Sequence, residues 1–144
     1  MRGGRQRPPV EILLDRFEAK GVSGLTADGR RFTVRHGPLG ARISARRIRK
    51  DKADRLGIVE PAPDQVAPAC LVFGLCGGCQ HQEMPLSRQR DGKTELVARL
   101  VGFPCAACEG APEAWAIRNK LELSFGPRRF LAEVPDDPAD LQGS

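Results

Sequence analysis

The sequence predicts a mainly β protein with an α+β extension: a small barrel over residues 10–61, then a small α+β module over residues 70–134. Three observations support this prediction. Short alternating segments are separated by turn residues, a Pro-rich stretch covers residues 62–69, and a group of cysteines follows it. Several short strands at such spacing are typical of small barrels. We expect residues 1–9, rich in Gly, Arg and Pro, and residues 135–144 to be unstructured.

The first half carries the strand signals. Gly21, Gly24 and the pair Asp28-Gly29 are turn signals. Directly after that pair the chain alternates, with Phe32 and Val34 on one face, and this pattern predicts a hairpin that leads into a strand. The predicted strands of the barrel are residues 10–17, 30–35, 41–50 and 56–59.

The second half carries one helix signal and one strand signal. Met84-Pro85 places a proline where a helix can begin. Residues 86–101 follow with apolar residues at helical spacing, and Gly102-Phe103-Pro104 ends the predicted helix. Trp115–Phe125 alternates apolar and polar residues over most of its length and is the clearest strand in the chain. Together these elements predict the α+β module.

The charge of the chain is divided between its halves. Residues 1–60 contain fifteen Lys or Arg against seven Asp or Glu, whereas residues 61–144 contain eight against eleven. A basic half of this kind indicates a polyanionic partner, although a solvated basic face remains the alternative. No stretch has the length and apolar character of a transmembrane helix, and the N-terminus lacks the apolar segment of a secretory signal. We therefore expect a cytoplasmic protein without a membrane partner.

The cysteines indicate a metal site. Cys70, Cys76 and Cys79 form the pattern C-x5-C-G-G-C. Thiolates suit zinc and iron–sulfur clusters, and the two glycines let the backbone turn tightly between two ligands. Cys105 and Cys108 form a second C-x2-C pair, so a tetrahedral zinc site from Cys76, Cys79, Cys105 and Cys108 is an alternative. The second pair could equally be small buried apolar residues.

In order along the chain, CLVFGLCGGC, Gln82, Lys93 on the predicted helix and AIRNKLELSFG closely resemble the uracil-C5 RNA methyltransferases of the RumA/RlmD type. The region before them is similar to a TRAM domain, an OB-like barrel that binds RNA. The resemblance covers nearly the whole chain but only the N-terminal third of such an enzyme. It implies that Cys70, Cys76 and Cys79 hold a [4Fe–4S] cluster. The fourth ligand is then expected from a cysteine beyond residue 144, or from Cys105 or Cys108.

The resemblance also implies a reaction, the transfer of a methyl group from S-adenosylmethionine to C5 of a uracil, with large-subunit ribosomal RNA as the expected partner. A cysteine nucleophile would add to C6, and a general base would later remove the C5 proton. No residue of this chain matches the nucleophile or the adenosylmethionine site. We therefore predict that this chain has no catalytic residue and does not methylate RNA by itself. We also expect it to be a monomer. The predicted RNA-binding residues are Arg31, Arg35, Arg42, Arg46, Arg47, Arg49, Lys50, Arg118 and Lys120.

A different class of function is a standalone OB-like RNA-binding module that carries the structural zinc site. The metal content separates the two hypotheses: iron and sulfide indicate the cluster, whereas stoichiometric zinc indicates the zinc site.

Overall fold

A computed structural model describes residues 8–75 and 78–110 of the chain. In these residues five strands form one antiparallel sheet, and one helix packs against it. The sheet has the strand order β3-β2-β1-β4-β5. Its strands are β1 (Val10–Glu18), β2 (Gly21–Leu25), β3 (Arg31–Val34), β4 (Arg42–Arg47) and β5 (Ala53–Glu60), and the helix is α1 (Leu86–Val101).

Strand β2 was not predicted, because its glycines were interpreted as turn residues. Gly21 and Gly24, expected in turns, lie within it because the neighbouring strands approach its backbone closely. A Cβ atom on Gly24 would lie 2.1 Å from the carbonyl oxygen of Leu13, and one on Gly21 would lie 2.1 Å from that of Val34. Only glycine lets the backbones come so near. The turn expected at Gly24 is wrong, whereas Gly21 closes the two-residue turn between β1 and β2, and the predicted hairpin between β2 and β3 at Asp28-Gly29 is present.

The sheet curls until its edge strands approach each other. Thr33 on β3 pairs with Lys52, just before β5, in an isolated parallel bridge, and the N–H of Thr33 donates to the carbonyl of Asp51 at 2.9 Å. The inward residues of the strands fill the enclosed space. The largest of them are Phe32, Ile12, Leu14 and Ile43, each at most 1% exposed. This five-stranded barrel confirms the mainly β prediction and places Phe32 in the core.

Helix α1 lies against β1 through a glycine. Gly92 is buried in the middle of the helix, and a Cβ atom there would lie 1.8 Å from the ring of Phe17. The guanidinium of Arg99 donates to the carbonyl oxygen of Phe17 at 2.5 Å and to the carboxylate of Glu18 at 3.0 Å. The helix is capped after Val101 by Gly102, which adopts a left-handed conformation. The predicted helix, residues 86–101, is confirmed with the same bounds.

In the described part of the chain, no helix has the length and apolar character needed to cross a membrane. The predicted strand Trp115–Phe125 lies outside the described residues.

The substitution Gly92→Ala tests the packing of α1 on β1. In a helix interior exposed to solvent, this change stabilises by about 1 kcal/mol, because alanine has the higher helix propensity. Here the added methyl group meets the ring of Phe17, which is only 2% exposed, and overpacking of this kind costs about 1–3 kcal/mol. We expect a net decrease in the free energy of unfolding of roughly 1 kcal/mol, measured by urea denaturation followed by circular dichroism.

The control is Asp91→Ala, at an exposed position of the same helix. It should leave stability unchanged or raise it slightly. A Gly92→Ala protein at least as stable as the parent would show that the helix does not pack on Phe17 in solution.

Candidate functional site

Three of the predicted RNA-binding arginines are held by carboxylates. Arg31 makes a two-pronged hydrogen bond to Asp15, at 2.5 Å and 2.8 Å. This contact lowers the pKa of Asp15 and raises that of Arg31. The remaining two arginines form ion pairs across β4 and β5, Arg42 with Glu60 at 3.1 Å and Arg46 with Asp54 at 3.6 Å. Their charges are thus partly neutralised within the protein.

The other described cations of that set have no ion pair with any residue in ranges 8–75 and 78–110. Arg35, Arg49 and Lys50 are exposed. The guanidinium carbon of Arg47 lies 5.2 Å from the centroid of the Phe32 ring, in cation–π geometry. Within the described ranges, these four cations are therefore the members of the predicted set whose charge no ion pair offsets. Arg118 and Lys120 lie outside the described residues.

The cysteine segment, residues 70–84, contains a hydrogen bond between its first residue and a residue near its end. The backbone N–H of Cys70 donates to Oε1 of Gln82 at 3.1 Å. Cys70 is half-buried, Cys79 is exposed, and both are free thiols. Cys76, the third predicted ligand, lies outside the described residues. The two described thiols are soft donors and fit an iron–sulfur cluster in their chemistry.

The second cysteine pair lies beyond helix α1. The backbone N–H of Cys108 donates to the hydroxyl of Thr94 at 2.8 Å, which fixes this segment to the helix. Both thiols of the pair, in Cys105 and Cys108, are half-buried and free. Within the described ranges, no three His, Cys, Asp or Glu side chains come together to hold a metal ion. The structure therefore does not bring Cys79, Cys105 and Cys108 together, as the alternative zinc site requires.

A buried ion pair connects the cysteine segment to the barrel. Arg55 of β5 donates to the carboxylate of Glu83 at 2.6 Å, and their side chains are 17% and 7% exposed. Next to it, Met84 lies in the barrel core, and its sulfur accepts a hydrogen bond from the N–H of Leu39 at 3.3 Å. Sequence reasoning missed both contacts, since the only signal was an acidic residue beside the apolar Met84.

Both histidines lie between the barrel and the cysteine segment. The ring of His81 meets that of Phe17 edge-on at 4.3 Å, and the ring of His36 meets that of Phe73 at 5.4 Å. Burial, with a smaller effect of the charge on Lys93, lowers the pKa of His81 to about 4. Burial also lowers the pKa of His36. His36 is half-buried, because Phe73 in the segment after Cys70 packs against it.

Comparison with known proteins finds RNA methyltransferases. The chain is 31% identical to an uncharacterised RNA methyltransferase of Clostridium tetani over 93% of its own length. It is 34% identical over 85% of its length to the 23S rRNA (uracil(1939)-C(5))-methyltransferase RlmD of Alkalilimnicola ehrlichii. The chain spans only 31% and 30% of those two proteins. No protein-family model matches the chain.

The substitution Glu83→Ala tests the buried pair between barrel and cysteine segment. Because it leaves the Arg55 guanidinium buried without its partner, we expect a loss of about 3 kcal/mol in the free energy of unfolding. The matched control is Glu60→Ala, which removes the exposed partner of Arg42 and should cost less than about 1 kcal/mol. Chemical denaturation of both variants measures the difference. Equal losses would mean that Arg55 and Glu83 are no more buried in solution than the surface pair.

Proposed function

We propose, on the premise that this chain is related over most of its length to RNA methyltransferases, that it is the part of such an enzyme that binds RNA and an iron–sulfur cluster. The substrate is a uracil in large-subunit ribosomal RNA, and the methyl donor is S-adenosylmethionine. The observation that carries the proposal is the match to the RlmD protein over 85% of the chain, together with the motif C-x5-C-G-G-C.

The barrel supports the RNA-binding part of the proposal. It is a TRAM-like barrel, and its strand β4 and the following turn display cations that no described carboxylate pairs, among them Arg49 and Lys50. Contacts from such side chains to phosphates give affinity with little sequence preference. Phe32 is the aromatic residue of the predicted strands that could have stacked on a base, but its ring points into the barrel core. Binding therefore depends on charge.

The cysteine segment supports the cluster part. Cys70, Cys76 and Cys79 would hold the cluster, and Gln82 fixes the backbone of Cys70 beside it. We place the fourth ligand outside the pair Cys105 and Cys108, because among the described residues neither of these thiols comes together with both Cys70 and Cys79. When bound, the cluster would organise the loop that leads into residues 81–84. This chain supplies no nucleophile, and we expect it to transfer no methyl group by itself.

Anaerobic reconstitution with iron and sulfide tests the cluster. The parent chain should bind both and turn brown, and Cys79→Ser should lose most of the iron, because a hydroxyl is a poor ligand for a cluster iron. The control is Cys108→Ser, which should keep the iron content of the parent. Stoichiometric zinc in the parent, lost in both variants, would contradict the cluster and support the standalone zinc module.

A salt titration tests RNA binding. The affinity of the chain for a labelled single-stranded RNA should fall as salt rises, with a slope of about −0.7 in log K against log salt for each phosphate bound. The double variant Arg35→Gln/Arg49→Gln should bind more weakly and show a shallower slope. An affinity that does not depend on salt would mean that the basic face of the barrel does not contact phosphates.

A further inference from the structure

One cavity lies at the end of the barrel where the turn between β4 and β5 meets the start of β3. Its volume is about 730 Å³, within the range of roughly 300–1,000 Å³ that is typical of small-molecule sites. It can therefore admit a nucleotide. Its lining residues are Arg30, Arg31, Arg47, Lys50 and Asp51.

Two of the four cations of this cavity are free to bind an anion. Asp15 holds Arg31 at 2.5 Å, and Asp28 lies 3.4 Å from Arg30. Arg47 and Lys50 have no such pair with any residue of the described ranges. Asp51 adds a negative charge to the same lining and repels an anion, so the attraction comes from Arg47 and Lys50, whose charges no ion pair in the described ranges offsets.

Arg47 is prepared for an acceptor. Its guanidinium rests on the ring of Phe32 at 5.2 Å, and Phe32 is itself 1% exposed. Its Nε atom is buried, with no hydrogen-bond partner among the described residues. Because that atom is out of reach of solvent, an oxygen atom of a ligand would approach the terminal amino groups of the guanidinium instead. The stacked guanidinium gives such an oxygen a fixed partner.

The turn that carries Lys50 is also held in place. The N–H groups of Ile48 and Arg49 both donate to the carbonyl of Lys52, at 2.9 Å and 3.2 Å. The carbonyl of Asp51 accepts the N–H of Thr33 across the barrel at 2.9 Å. A ligand between Arg47 and Lys50 therefore meets a turn whose backbone is already ordered, which lowers the entropy cost of binding.

We propose that this cavity is a subsite for one nucleotide of RNA, with its backbone phosphate bound by Arg47 and Lys50. The proposal rests on the proposed function, since it takes RNA as the partner. It adds a specific place on the barrel, and it excludes Arg42 and Arg46 as the main contacts although they belong to the same strand.

The experiment compares cations at the two ends of β1. Arg47→Gln and Lys50→Gln remove a cavity cation, and the matched control Lys20→Gln removes an exposed cation from the turn after β1, at the far end of that strand. The affinity of each full chain for labelled single-stranded oligouridylate is measured at several salt concentrations. Each cavity variant should bind about tenfold more weakly, as expected for a charged hydrogen bond, and lose about 0.7 from the salt slope. The control should change less than twofold.

The outcomes separate the subsite from the general function. If RNA binds and all three variants weaken it equally, the subsite is wrong and the RNA-binding function stands. If the parent chain does not bind RNA at low salt, both are wrong. Because Arg47→Gln could disturb the packing on Phe32, the exposed Lys50 provides the variant that leaves the core intact.

Competition identifies the source of the phosphate. Uridine monophosphate should displace the labelled RNA from the parent chain at lower concentrations than inorganic phosphate does, and Lys50→Gln should reduce that difference. Equal potency of the two competitors would mean a simple anion site and would overturn the assignment to a nucleotide.

Discussion

The barrel and the cysteine segment share one core, and the rest of the structure depends on that constraint. Met84 lies 2% exposed among the inward residues of the strands, and Glu83 beside it is paired with Arg55. A buried carboxylate is stable only beside a partner that compensates its lost hydration. Displacing residues 83–84 would therefore open the apolar core and leave a buried charge unpaired at the same time. The barrel consequently fixes where the cysteine segment ends.

Because the two parts share a core, the cations around Arg47 and the cysteine segment lie at different ends of β1. The register of β1 and β4 pairs Val10 with Ala45, so Arg47 lies near the start of β1. Phe17, near the end of β1, contacts His81 and Gly92 of the second half. The nine residues of β1, at about 3.3 Å each, place its two ends less than about 30 Å apart. An RNA strand held at the cationic end would have to run along the barrel to reach the cysteines.

The sequence predicted the elements whose limits are set by residues close together in the chain. Helix α1 was located to the residue, because a proline, an apolar repeat and a terminal glycine mark both of its ends. Strand β2 was missed, because Gly21 and Gly24 resemble turn residues until the neighbouring backbones are in place. The contacts of Glu83 with Arg55 and of Met84 with Leu39 span 28 and 45 residues. No periodicity within a segment can reveal such pairs.

The same limit explains why a count of basic residues overestimates the site. From the sequence alone, every arginine of the first half is a positive charge available to a polyanion. In the folded chain, Asp15, Glu60 and Asp54 each pair with one arginine. Glu60 and Asp54 lie opposite their arginines on neighbouring strands, whereas Asp15 on β1 reaches Arg31 on β3 across β2. An arginine that is already in an ion pair contributes little free energy to phosphate binding, because the phosphate must either displace the carboxylate or bind close to its negative charge. Under the proposed function, the cations available to a phosphate are therefore those of the described barrel that have no ion pair, and β4 with its following turn supplies three of them, Arg47, Arg49 and Lys50.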